Sequence, residues 1–192
     1  TGRAFWSILA DKDVPADLYR VPINFPVEPS KGVSLPGMLT PALDSAYGTY
    51  TIFTSDPPAK RETSGGKFRA VRASGGAIRT QLEGPVNVLK DGDPVATTPL
   101  TVYIDERSNT ATVEVGTERV VMRPGQWSRF CRVSFEMAPM GAMNLGGIVR
   151  FYLRSIGPEF VLYASPVNFD PVAPVDAISH PEEASADLAA AI

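Results

Sequence analysis

A chain of 192 residues suits one domain of ordinary size, or one domain with an excursion. Its 18 Lys+Arg nearly cancel 21 Asp+Glu, so net charge selects no partner, and nucleic-acid recognition would need more basic surface and more aromatic platforms. Sixteen glycines and eighteen prolines in a 44% hydrophobic chain predict many turns around a real core, which excludes a helical bundle.

Residues 3–12 read as a helix, with Phe5, Ile8 and Leu9 on one face. Pro15 stops it, and Asp17–Val21 reads as a short strand. Pro22 to Pro41 holds five prolines and reads as one long loop, a length that in compact domains is usually functional or disordered. From Tyr47 the period changes to two. Strands are expected at Tyr47–Thr54, Phe68–Ala73, Ala77–Glu83, Leu100–Asp105, Thr110–Val115, Glu118–Met122, Trp127–Met137, Ile148–Ser155 and Phe160–Tyr163. Gly75-Gly76, Ser108-Asn109 and Gly116-Thr117 read as hairpin turns. Trp127, Val133, Phe135, Ile148, Phe151 and Leu153 are the expected core of one β-rich body. Residues Glu182–Ile192 read as a helix with acids in its first turn.

The organisation expected is a partial α/β opening segment with a Pro-rich loop (1–46), a β-rich insertion or cap (47–165), and a Pro-rich loop with a C-terminal helix (166–192). The fold class is α+β and β-rich: an antiparallel sandwich-like or barrel-like sheet, flanked by a partial α/β layer from the two chain ends. No apolar run approaches the ~18 residues of a transmembrane helix. No basic-then-apolar leader follows Thr1, and the expectation is a piece of a longer chain.

Chemistry is scarce. The one cysteine, Cys131, excludes an internal disulfide and leaves the compartment open. With no histidine near it in sequence, it reads as a small packed residue. The one histidine, His180, excludes a metal centre built from several histidines of this chain. Asp170 and Asp176 precede it at an unspecific spacing, and Pro174 and Pro181 argue against a shared helix face. Gly65-Gly66-Lys67 lacks the remainder of a phosphate loop and reads as a turn. Lys60, Arg61, Lys67, Arg69, Arg72 and Arg79 face only Glu62 within residues 60–79, and read as the solvated face of one hairpin.

One stretch is more specific. Tyr19-Arg20-Val21-Pro22-Ile23-Asn24-Phe25-Pro26 is followed by Leu35-Pro36-Gly37-Met38-Leu39-Thr40-Pro41 and by Tyr47-Gly48-Thr49-Tyr50. Together with Ile148–Leu153 and Tyr163–Pro171 it resembles the type I phosphodiesterase/nucleotide pyrophosphatase family of the alkaline-phosphatase superfamily. That resemblance implies a central fragment of a metal-dependent hydrolase of phosphodiesters, nucleotide pyrophosphates or related anionic esters. It also implies two divalent, zinc-like ions and a Thr or Ser nucleophile. The family's D-H-G ligand segment is absent from this sequence. No catalytic or metal-binding residue is therefore assigned, and the chain alone is expected to be inactive. Its expected partners are the remaining catalytic domain and, in the parent, a small anionic substrate, with no nucleic acid. The alternative is a stand-alone, non-catalytic β-sandwich binding module for protein or carbohydrate. The nearest thing to a site is the Pro22–Pro41 loop, where Asn24, Ser34 and Thr40 would offer hydrogen bonds and Gly37 close backbone approach at a substrate cleft.

Overall fold

In a computed structural model the described residues are 2–58 and 65–191, and they form two compact units. The first joins residues 1–40 to 169–192, and the second spans 41–168. Among the described residues the protein is strand-rich, at 43% strand against 9% helix, in open sheets with no closed barrel.

The first unit starts with helix α1 (Phe5–Asp11) and strand β1 (Leu18–Val21). The Pro22–Pro41 segment is not one loop. It contains strand β2 (Ser34–Pro36), which pairs in parallel with β1 through Leu18↔Ser34 and Tyr19↔Leu35. A three-residue strand ending on proline has no propensity signal, because proline cannot donate to a ladder. The expected apolar face of α1 is uncovered: Phe5 and Ile8 are about half exposed, and no residue of the helix is buried. The unit closes with helix α2 (Ala184–Ala190). Glu182 and Glu183 precede that helix, and Asp187 is the acid in its first turn.

The second unit begins with β3 (Tyr50–Thr54), β4 (Gly66–Ala70), β5 (Ala73–Ser74), β6 (Ala77–Val86) and β7 (Val95–Asp105). It continues through β8 (Thr110–Val115), β9 (Glu118–Met122), β10 (Gln126–Trp127), β11 (Cys131–Ala138), β12 (Met143–Val149), β13 (Phe151–Ser155) and β14 (Val161–Ala164). Strands β5 to β9 form a sheet in sequence order, each pair antiparallel. Its turns follow the residue chemistry. Gly75 and Gly76 both have φ near +60 to +75°, as a type I′ turn demands, and Gly116 at φ +57° turns β8 into β9. A second sheet has the order β10-β13-β14-β3-β4, with one parallel pair, β3–β4. β11 and β12 pair antiparallel in a third, which Asn168 of β15 (Asn168–Phe169) edges.

Strict alternation builds the core. Cys131, Val133, Phe135 and Met137 of β11 point inward while Arg132, Ser134 and Glu136 point out. β11 packs on β7, and the Phe135 ring lies on Gly84 of β6. Phe53, Phe151, Leu153 and Leu162 fill the inner face of the second sheet.

Two long strands expected from sequence are each broken. Trp127–Met137 splits at residues 128–130 and Ile148–Ser155 splits at Arg150, and at both breaks the chain changes sheet. Ser128 ties the breaks together: its N–H donates to the Phe151 carbonyl (2.8 Å), its hydroxyl accepts from the Phe151 N–H (2.9 Å), and its carbonyl accepts from Arg150 Nε (2.9 Å). Strands that cross between sheets in this way make the corners of packed sheets. As a result Trp127 is not a core residue. It is half exposed on β10, and Ile148 is only partly buried.

Candidate functional site

The four residues singled out in the Pro22–Pro41 segment come together as two separate pairs, not as one donor cluster. Asn24 and Ser34 are both buried, and Asn24 Nδ2 donates to Ser34 Oγ at 2.8 Å. Ser34 is also held by its backbone. Its N–H donates to the His180 carbonyl (2.7 Å), and its carbonyl accepts from the His180 N–H (2.9 Å). Thr40 instead turns back on Gly37, giving its N–H (3.2 Å) and hydroxyl (2.8 Å) to the Gly37 carbonyl.

Gly37 is required by packing. Its N–H donates to the Val21 carbonyl (3.1 Å), and a Cβ there would run into the backbone of Arg20. The close approach foreseen at this glycine is made by the chain itself. What the segment displays is apolar: Ile23 is 72% exposed, Met38 70% and Leu39 48%. Ile23 and Leu39 both sit at positive φ, +62° and +74°, which costs of order 1–3 kcal/mol apiece for non-glycine residues.

Because the Asn24–Ser34 bond is buried, Asn24→Ala should cost about 1–3 kcal/mol, the cost of leaving a buried hydroxyl without its donor. Asn24→Ala with Ser34→Ala should cost less than the two single changes added together. Urea melts of the three variants check this, and strict additivity would show that the two side chains do not interact.

His180 Nε2 lies 2.8 Å from the Ser30 carbonyl. A carbonyl only accepts, so Nε2 carries the proton. Asp176 Oδ1 accepts from Ala177 N (2.8 Å), and Asp170 Oδ1 from Val172 N (3.0 Å). Among the described residues no three His, Cys, Asp or Glu side chains come together, so these residues do not fit a two-metal centre. A depression of about 250 Å3 lined by Val175, Asp176, Ile178 and Glu182 contains none of the four loop residues.

Elsewhere, Cys131 is fully buried in β11, and burial pushes its thiol up while the nearby Arg129 charge opposes that shift. A thiol so placed is a packing residue, not a nucleophile. Of Gly65-Gly66-Lys67, expected as a turn, only Gly65 is a bend; Gly66 and Lys67 already belong to β4, and Gly66 is there because the Tyr50 ring lies across it. Lys67 Nζ meets Glu83 at 3.1 Å, and Arg69 pairs with the same carboxylate. Lys60, Arg61 and Glu62 lie outside the described residues. Asp105 accepts from the Ser108 hydroxyl (2.8 Å) and from the N–H groups of Arg107 and Ser108, which holds its carboxyl below the usual range and stiffens the β7–β8 turn.

A group not singled out from sequence is the stack of Trp127, Arg150 and Phe130 at the strand break. The Arg150 guanidinium lies 5.2 Å from the Trp127 ring centroid and 5.3 Å from that of Phe130. Its only sequence signal was the alternation Arg150-Phe151-Tyr152-Leu153-Arg154, which puts 150, 152 and 154 opposite the buried Phe151 and Leu153.

No family model, curated protein or solved structure matches this chain.

Proposed function

We propose that the chain is the cap-and-scaffold part of a metal-dependent hydrolase of phosphodiesters, nucleotide pyrophosphates or related anionic esters, of the type I phosphodiesterase/nucleotide pyrophosphatase kind. In this reading α1 and the β1–β2 pair belong to an α/β layer whose other strands lie in the catalytic domain. That domain supplies the two divalent ions and the nucleophile. The Pro22–Pro41 segment leaves the carboxyl end of β1, the end at which such layers bind ligands, and so borders the substrate cleft. Its polar groups are occupied within the chain, so its contribution there is the apolar wall of Ile23, Met38 and Leu39.

The observation that carries this reading is the parallel pairing of β1 with β2. All-parallel sheets occur almost only as larger sheets covered on both faces. Here the pair has two strands, and Phe5, Ile8 and Tyr19 of the same unit are about half exposed. A layer this small buries too little apolar surface to be stable by itself.

Two measurements test it. The purified chain should not hydrolyse bis(4-nitrophenyl) phosphate in excess zinc, and after dialysis it should hold fewer than two zinc ions per molecule. Two tightly held ions per chain would overturn the reading. The second is the reading frame on both sides of residues 1 and 192. It should encode the D-H-G segment, and its absence on both sides would equally overturn it.

A further inference from the structure

The outer face of the β10-β13-β14-β3-β4 sheet carries a row of aromatic rings. Trp127, Tyr152 and Tyr163 stand directly opposite one another across three strands, with ring centroids 5.1 Å apart for Trp127–Tyr152 and 5.6 Å for Trp127–Tyr163. Tyr50 extends the row, 5.3 Å from Tyr163. It lies flat on the sheet because Gly66, its parallel partner on β4, has no side chain to lift it. The inner face of these strands is already filled by Phe151, Leu153, Leu162 and Phe53, so the row is not needed for that core.

Two cations accompany the rings. Arg150 is fixed between Trp127 and Phe130, with Nε on the Ser128 carbonyl, and Arg154 follows on the exposed side of β13. Among the described residues neither arginine has a carboxylate partner, whereas Arg3, Arg69, Arg119 and Arg129 each have one. The two are four residues apart in sequence, Arg150 at the break before β13 and Arg154 within β13.

We infer that this face is a binding site for an acidic oligosaccharide, one carrying carboxylates on its sugar rings. The ring faces take the C–H faces of successive sugars, whose positive edge complements the negative π-face. The tyrosine hydroxyls hydrogen-bond to sugar hydroxyls, and Arg150 and Arg154 receive the carboxylates. Charge is what selects this ligand. A neutral glycan would leave both cations unused. A single-stranded nucleic acid would present a phosphate at every step to a chain with net charge −3 and, among the described residues, two cations without a carboxylate partner on the face. The inference concerns the second unit alone and stands whether or not the first belongs to a hydrolase.

The test uses the full chain with oligogalacturonate, its fully methyl-esterified form and an oligo(dT) of equal charge, each titrated against tryptophan fluorescence and the Trp127 indole N–H resonance. Oligogalacturonate should bind and shift that resonance, and the ester and the oligo(dT) should bind about tenfold or more weakly. Arg150→Gln and Trp127→Ala should each weaken binding about tenfold, while Trp127→Phe keeps most of it. Near-ultraviolet circular dichroism identifies any variant that fails to fold, and the three ligand arms on the unaltered chain then decide alone. The inference is overturned by absence of oligogalacturonate binding, by equal binding of the ester, by equal or tighter binding of oligo(dT), or by folded Arg150→Gln and Trp127→Ala variants that bind as the parent does.

Discussion

Phe135→Ala should destabilise the second unit by about 3–5 kcal/mol, the range for truncating a fully buried phenylalanine. Phe135 is fully buried in β11, and its ring rests on Gly84, where there is no side chain to move into the space left behind. The site therefore relaxes little, which puts the cost toward the upper end. Thermal or urea unfolding followed by near-ultraviolet circular dichroism checks it. An unchanged midpoint would mean that β11 does not pack on β6 and β7. The complementary change, Gly84→Ala, fails for the opposite reason: its Cβ would meet the Phe135 ring, and overpacking of this kind costs about 1–3 kcal/mol. Because the two positions touch, Gly84→Ala with Phe135→Leu should recover part of that loss.

Gly37→Ala is the second large effect, and it should be confined to the first unit. The new methyl group meets the carbonyl and Cα of Arg20, which are backbone and cannot rotate away. Either β2 moves off β1 or the turn from Gly37 to Thr40 opens, at a cost of about 1–3 kcal/mol or somewhat more. Hydrogen exchange reads this locally. The N–H groups of Leu18, Ile23 and Gly37, bonded to the Val33, Met38 and Val21 carbonyls, should lose protection. The N–H of Val113 in β8 should keep its own. Unchanged protection at Leu18 and Gly37 would show that β1 and β2 do not approach as described. In the hydrolase proposed above, the same substitution should lower kcat/KM by displacing Met38 and Leu39, since a shift of about 1 Å near a reacting centre can cost about 100-fold.

The legible part of this protein was its local chemistry. In β8, β9 and β11 the period of two sorts inward from outward residues without knowledge of a partner, because alternation is a property of the strand itself. Gly75-Gly76 and Gly116-Thr117 were equally readable, since left-handed φ values in two-residue turns select glycine. Helix α1 followed from spacing, although the cover for its apolar face did not. The candidate loop was legible as a place but not as an arrangement. Asn24 and Ser34 are ten residues apart, and nothing in either residue type says that one donates to the other.

Composition and periodicity determined by themselves that this chain is β-rich, where most of its strands lie, and that its one histidine excludes a metal centre built from several histidines of this chain. Tertiary structure alone decided which strands change sheet and which side chains that leaves outside. Trp127 and Arg150 sit in stretches that read as continuous strands, and their exposure depends on Ser128 bonding to Phe151 and Arg150, more than twenty residues away. Such bonds form only once both strands are in place. A side chain's face is set by its own strand, but whether that face meets another layer or solvent is set by residues distant in sequence.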